Sequence, residues 1–413
     1  MKITIPKIRI STTWLSLLVG LFFLVLLFTN FRTNIFQHFV IEADSILNGQ
    51  LSFLKLDGYG KDVDMVLREG KYYWALGPAP TLLILPWVFL AKGLGFATFT
   101  QGYVQFILIA LTFWLIYRIT RKFKFNVNDS LMLVFAFCFA STYAAVAYYA
   151  QSWYFSQVVA VFGVVLALHE YYLGRRHWLI GIGVGLALAT RMTAGFSIIF
   201  FLAMLLTNRE LVHREKVKAL LQLLAPFGLA ILLILLVNYL KFGDIFDNGY
   251  TSALIKPDTF AKIRSDYGLF SISHIMSNFY WYFLKGPDAV VLADTYHLIN
   301  PYLKIDWRGL SFFFVAPLFA RLLLPSLWRN NLTKEKLALL GSSLVILLVL
   351  LSYFASGYVQ YGPRYLNDLM PLWYMLLLFS FPNRKVSKLI YVVIIASAFI
   401  NLYFMVQMFG YSN

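Results

Sequence analysis

Apolar runs long enough to cross about 30 Å of hydrocarbon recur from one end of this 413-residue chain to the other. They fall at 13–29, 101–117, 129–149, 155–173, 219–239, 309–327, 337–355, 367–381 and 389–408. No stretch between them has the length or polarity of a separate soluble domain, so residues 1–413 read as one all-α, polytopic membrane domain. Composition agrees: 60% of residues are hydrophobic and 13% charged, where a soluble domain is usually about a quarter charged. The only cysteine, Cys138, lies in an apolar run, which excludes a disulfide framework and any CxxC metal or redox site.

Basic clusters fix the expected topology. Arg118/Arg121/Lys122/Lys124, Arg175/Arg176, Arg209/Arg214/Lys216/Lys218, Arg329/Lys334/Lys336 and Arg384/Lys385/Lys388 should all be cytoplasmic, as should Lys2, Lys7 and Arg9. No small-residue cleavage site follows the first run, which reads as an uncleaved span with a cytoplasmic N-terminus. The chain must cross an even number of times between any two clusters. That parity makes 79–91, bracketed by Pro78, Pro80 and Pro86, interfacial or re-entrant. It also splits Leu179 to Leu206, which would be about 42 Å long as one helix, into two short helices hinged around Arg191 to Gly195. The expectation is about 11 transmembrane helices, interfacial helices in the first external loop (30–100), and a second external segment at 241–308. The net charge of +16 then belongs to cytoplasmic loops and reports orientation, with no case for nucleic acid.

Chemistry is expected on the external face, where carboxylates and aromatics gather. Residues 36–49 read as an amphipathic helix with Phe36, Phe39, Val40, Ala43 and Leu47 in one stripe and His38, Glu42 and Ser45 opposite. Glu42 and Asp44 point about 160° apart on such a helix. Asp44 falls at the edge of the stripe, facing the membrane domain, where partial desolvation suits a general base. Two arginines next to apolar spans, Arg191 and Arg364, suit a phosphate, Arg364 being fixed by Pro363 and flanked by Tyr361 and Tyr365. Gln157, in Ser152-Trp-Tyr-Phe-Ser-Gln157, could hydrogen-bond a sugar. His38 and Glu42 have the i, i+4 spacing of a metal pair without an evident third ligand, so no cofactor is assigned and a divalent metal, Mg or Mn, stays open.

Glu42-Ala-Asp44, Gly70-Lys-Tyr-Tyr-Trp-Ala-Leu-Gly-Pro-Ala-Pro80, Gly183-Val-Gly-Leu-Ala-Leu-Ala-Thr-Arg191, Phe242-Gly-Asp-Ile-Phe-Asp-Asn-Gly-Tyr250, Gly309-Leu-Ser311 and Tyr361-Gly-Pro-Arg-Tyr365 follow one another in an order that resembles bacterial integral-membrane C-type glycosyltransferases, the GT-C superfamily. The resemblance covers nearly the whole chain. It implies transfer of a sugar from a polyprenyl-phosphate-linked donor to the hydroxyl of a glycan, lipid or protein acceptor, on the extracytoplasmic face of the plasma (inner) membrane. It also implies an acidic base from the first external loop, here Asp44 or Glu42. The lysine that often follows the Tyr-Tyr pair, here Tyr72 and Tyr73, is missing at Trp74 to Pro78, so its task would pass to Lys71, Arg191 or Arg364. The rival reading is a transporter or flippase of lipid-linked sugars. Against it, no internal repeat is found and few ionisable groups lie in mid-membrane.

Overall fold

Inside hydrocarbon a segment can satisfy its own backbone by i to i−4 bonding, and the apolar runs fold accordingly. The computed structural model describes residues 11–32, 36–53, 64–96, 99–250, 261–329, 332–381 and 383–409. In chain order its main helices are α1 (Thr12–Asn30), α2 (His38–Leu47), α3 (Ala79–Gly93), α4 (Gln101–Lys122), α5 (Val127–Phe139), α6 (Ser152–His169), α7 (His177–Thr190), α8 (Ile198–Leu206), α9 (His213–Phe242), α10 (Lys334–Ser352), α11 (Met370–Phe379) and α12 (Lys388–Phe409). Six of these, α1, α4, α6, α9, α10 and α12, are long and apolar enough to cross a membrane, α6 with the turn that continues it to Gly174. The remaining apolar helices are shorter. The chain is a multi-pass membrane protein, with six full-length spans among the described residues where the sequence predicts about 11.

The differences are local and mostly follow proline. The predicted span 309–327 is three short pieces, Phe312–Val315, Pro317–Leu323 and Pro325–Arg329. Pro317 and Pro325 each begin a new piece, since neither can donate the bond that would continue the last one. The predicted span 129–149 stops as α5 at Phe139 and resumes only as the turn Ala144–Ala147. The stretch bracketed by prolines is the 15-residue α3, with Pro80 in its first turn. The predicted hinge is present: α7 ends at Thr190, Arg191 is extended (φ −146°, ψ 114°), and α8 follows after the turn Met192–Gly195.

Two hairpins stand outside the helices. Strands β1 (Met65–Arg68) and β2 (Lys71–Trp74) pair antiparallel through a two-residue turn, Glu69-Gly70, with φ of 51° and 74°. Positive φ at both positions gives the turn whose twist matches the strands. Strands β3 (Asp288–Val291) and β4 (Leu298–Lys304) form the second. Close packing brings the helices under the first hairpin. A Cβ at Gly163 of α6 would lie 2.5 Å from the Gly183 carbonyl oxygen of α7, and one at Gly183 equally close to the Gly163 oxygen, so the two backbones touch. At Gly77, between β2 and α3, a Cβ would strike the carbonyl oxygen of Ala189, so the end of the hairpin rests on the last turn of α7.

Candidate active site

The motifs quoted above converge. Arg68 of the first hairpin forms an ion pair with Asp247 at 2.9 Å, and Tyr73 packs edge-on against Phe242 at 5.7 Å, which joins the hairpin to the segment 242–250. Leu310 N–H donates to the Tyr361 carbonyl (2.8 Å), and Gln360 N–H to that of Trp307 (3.2 Å), which lays Gly309 to Ser311 beside the Arg364 segment. The start of α6 is tied in at the other side: Ser152 Oγ donates to the Phe36 carbonyl (2.9 Å) and accepts from His38 N–H (2.9 Å).

Arg364 stands at the meeting point. It is buried, at 7% exposure, and its guanidinium lies over two rings, Tyr365 at 4.9 Å and Tyr154 at 5.4 Å. It takes part in no ion pair among the described residues, and its Nε, though buried, has no hydrogen-bond partner. Arg191 approaches the same Tyr365 ring at 5.1 Å but is committed elsewhere. Its Nε and Nη2 grip both oxygens of fully buried Asp368, at 2.7 and 3.0 Å, and Thr193 Oγ1 donates to the same carboxylate. A fork-to-carboxylate pair of this kind leaves little of Arg191 for another anion. Of the two arginines expected to bind phosphate, Arg364 is the one whose charge is unspent.

Asp64 lies within electrostatic reach of this cation. It sits at φ 60° immediately before β1, and its Oδ2 accepts from Trp153 Nε1 at 2.9 Å. Burial raises its carboxyl above the usual carboxylate range, opposed by the Trp153 hydrogen bond and by the charges of Arg364 and Arg264. Tyr250 lies within electrostatic reach of Asp64, Arg191 and Asp368. A positive φ at a non-glycine residue stores backbone strain, and such strain gathers at functional sites.

The helix that carries Glu42 and Asp44 forms where expected, but it is buried on its polar side as well as on its apolar stripe. His38, Glu42 and Ser45 are buried together with Phe39 and Ala43. Asp44 is turned out, its side chain 42% exposed and paired with Lys92 at 2.5 Å, so it does not face the membrane domain as predicted. The reason is that the polar side of α2 meets polar partners in the protein. Lys241 Nζ donates to Glu42 Oε1 (2.5 Å) and to the Trp74 carbonyl (2.9 Å), and Thr81 Oγ1 donates to Glu42 Oε2. His38 stacks on Trp74 with centroids 4.0 Å apart and shares a hydrogen bond with Ser152 Oγ at 3.1 Å. Burial pushes its ring down to about 3, so it is neutral at ordinary pH. His38 and Glu42 thus each have partners of their own, and the described residues contain no group of three or more His, Cys, Asp or Glu side chains arranged to hold a metal.

The remaining expected residues divide. Tyr365 lies under Arg364, whereas Tyr361 is fully buried in the core. Lys71 is exposed at the hairpin tip, and Tyr73 is used in packing against Phe242. Gln157, one turn beyond Trp153 and Tyr154 on α6, is fully buried with neither amide atom partnered. Asp64, Trp153, Tyr154, Tyr250 and Asp368 were not singled out as site residues from sequence. No sequence signal pointed to Asp64, which lies just before the tight hairpin rather than within it. Asp368, four residues after Arg364, gave none.

No protein-family model and no curated protein matches the chain. Among solved structures, the crystal structure of ArnT from Cupriavidus metallidurans bound to undecaprenyl phosphate aligns over 94% of this chain, at a TM-score of 0.51 and 11% identity. The likeness is one of fold: the chain follows the course of the ArnT structure over nearly its whole length. The archaeal oligosaccharyltransferase AglB from Archaeoglobus fulgidus, in complex with an inhibitory peptide and a dolichol-phosphate, aligns over 96% of the chain at a TM-score of 0.42 and 12% identity. The chain covers 63% of the ArnT structure and 55% of that of AglB. Within this fold, the first hairpin, the break at Arg191 and the Arg364 segment are brought together.

Proposed function

We propose that the protein transfers a sugar from a polyprenyl-phosphate donor to an acceptor hydroxyl, with Arg364 holding the donor phosphate and Asp64 taking the proton. The acceptor oxygen attacks the anomeric carbon while the bond from that carbon to the phosphate oxygen breaks. The electron pair stays on the phosphate, where Arg364 stabilises it, and the hydroxyl proton passes to Asp64. Asp368 and Thr193 fix Arg191, Tyr154 and Tyr365 hold the Arg364 guanidinium, and Trp153 orients Asp64. Acceptors are glycan, lipid or protein hydroxyls, and the site opens on the extracytoplasmic side of the plasma membrane.

One observation carries this reading: a buried guanidinium that forms no ion pair among the described residues, within electrostatic reach of a carboxyl that burial holds above its usual range. A structural arginine would be paired as Arg191 is. The GT-C fold, and a structure of that fold that holds undecaprenyl phosphate, support the choice of donor. Asp44, paired and half-exposed, is displaced as the base in favour of Asp64. The test is transfer by the purified protein from radiolabelled polyprenyl-phosphate sugars to a panel of acceptors. Arg364→Ala should raise the donor KM and lower kcat/KM about ten- to a hundredfold, the loss of one charge-assisted contact. Unchanged kinetics in that variant would remove Arg364 from the site and the proposal with it.

A further inference from the structure

The helix that ends at Arg191 opens at its other end onto a cavity. α7 has 14 residues, which separates its ends by about 20 Å. At its first residue, His177, lies a cavity of about 390 Å³ bounded by α7, α8, α9 and the start of α10. The cavity has two kinds of wall. Its depth is apolar, with Phe201 and Leu223 buried against it. Its rim carries His177, Arg209 and Lys334 against a single carboxylate, Glu210. Arg209 and Lys334 are exposed and take part in no ion pair among the described residues. Beside it, α9 buries only Ala219, Leu223, Lys241 and Phe242 of its 30 residues, so its apolar length is open to lipid next to the cavity.

We infer that this cavity binds one anionic phospholipid, its phosphate on Arg209, Lys334 and His177 and an acyl chain entering past Phe201 and Leu223. A free phosphate would use the rim alone and leave the apolar wall without a role. A zwitterionic lipid would bring its own cation against Arg209 and Lys334. The two exposed cations outnumber Glu210, and basic pockets between membrane helices favour anionic head groups for this reason. The site is separate from the proposed transfer site and does not depend on that reading.

Native mass spectrometry of the full-length protein, titrated with phosphatidylglycerol or with phosphatidylcholine of identical acyl chains, tests it. The wild type should bind one phosphatidylglycerol about tenfold or more tightly than phosphatidylcholine. Arg209→Gln with Lys334→Gln should abolish that preference, Glu210→Gln should strengthen it, and Lys218→Gln, an exposed charge on α9 outside the cavity, should leave it unchanged. Equal binding of the two lipids by the wild type would overturn the inference. So would an equal loss of preference in Lys218→Gln, which would reduce the effect to diffuse surface charge, or competition by inorganic phosphate as strong as that by phosphatidylglycerol. Should the double variant fail to fold, Glu210→Gln decides alone, and an unchanged preference there rejects the site.

Discussion

At the scale of single residues, the site is a matter of which charges are paired. Glu42 has Lys241, Asp44 has Lys92 and Asp368 has Arg191, whereas Asp64 and Arg364, within electrostatic reach of each other, form no ion pair among the described residues. Asp64→Asn should therefore do two opposite things. It should lower transfer by 10²–10⁴-fold, as loss of a positioned base does. It should also raise thermal stability at neutral pH. Because the folded carboxyl binds its proton more tightly than the unfolded one, stability falls as pH rises from the ordinary aspartate value of 3.8 through the raised native value. The variant's advantage in melting temperature should accordingly vanish in acid, and the acidic limb of the wild-type rate profile should lie above the ordinary carboxylate range. A variant that is inactive and also less stable at neutral pH would point to a structural Asp64. Asp44→Asn should keep near-normal transfer, since it removes only an exposed pair.

At the scale of elements, the sequence was legible where one physical cause dominated. The α2 helix, the hinge at Arg191 and the long apolar spans follow from hydropathy and length alone. The burial of the polar side of α2 was not legible, because periodicity treats a polar face as a wet face. In this chain His38 turns inward to Ser152, and Glu42 to Thr81 and Lys241, partners contributed from 39 to 199 residues away. Local pattern carries no information about partners so distant. The same contact gives a prediction. Lys241→Met strands a buried carboxylate and should destabilise the protein by about 3–5 kcal/mol, read from thermal unfolding. Adding Glu42→Gln should restore much of that loss, whereas additive effects of the two changes would show that the ion pair does not join α2 to α9.

At the scale of the whole molecule, the order of the motifs along the chain was more informative than any one of them. Weak pieces such as Gly309 to Ser311 and Tyr361 to Tyr365 gain meaning once they pack side by side. The number of crossings was the least legible quantity, because short and proline-broken apolar segments count as spans by composition. Orientation can be read directly. With Cys138 replaced, single cysteines at the exposed positions Lys71 and Tyr296 should react with an impermeant thiol reagent from outside, and those at Lys122 and Lys388 should not. Labelling of Lys122 from outside would reverse the assignment of α3 as a non-crossing element. There is also a consequence for how the protein is handled. Two tyrosine rings shelter an arginine that forms no ion pair among the described residues, so the molecule should be tougher in the company of a lipid that brings one. Harsh detergents that strip polyprenyl phosphates during extraction should yield fragile preparations. Adding the lipid back should restore heat resistance to the wild type and do nothing for Arg364→Gln.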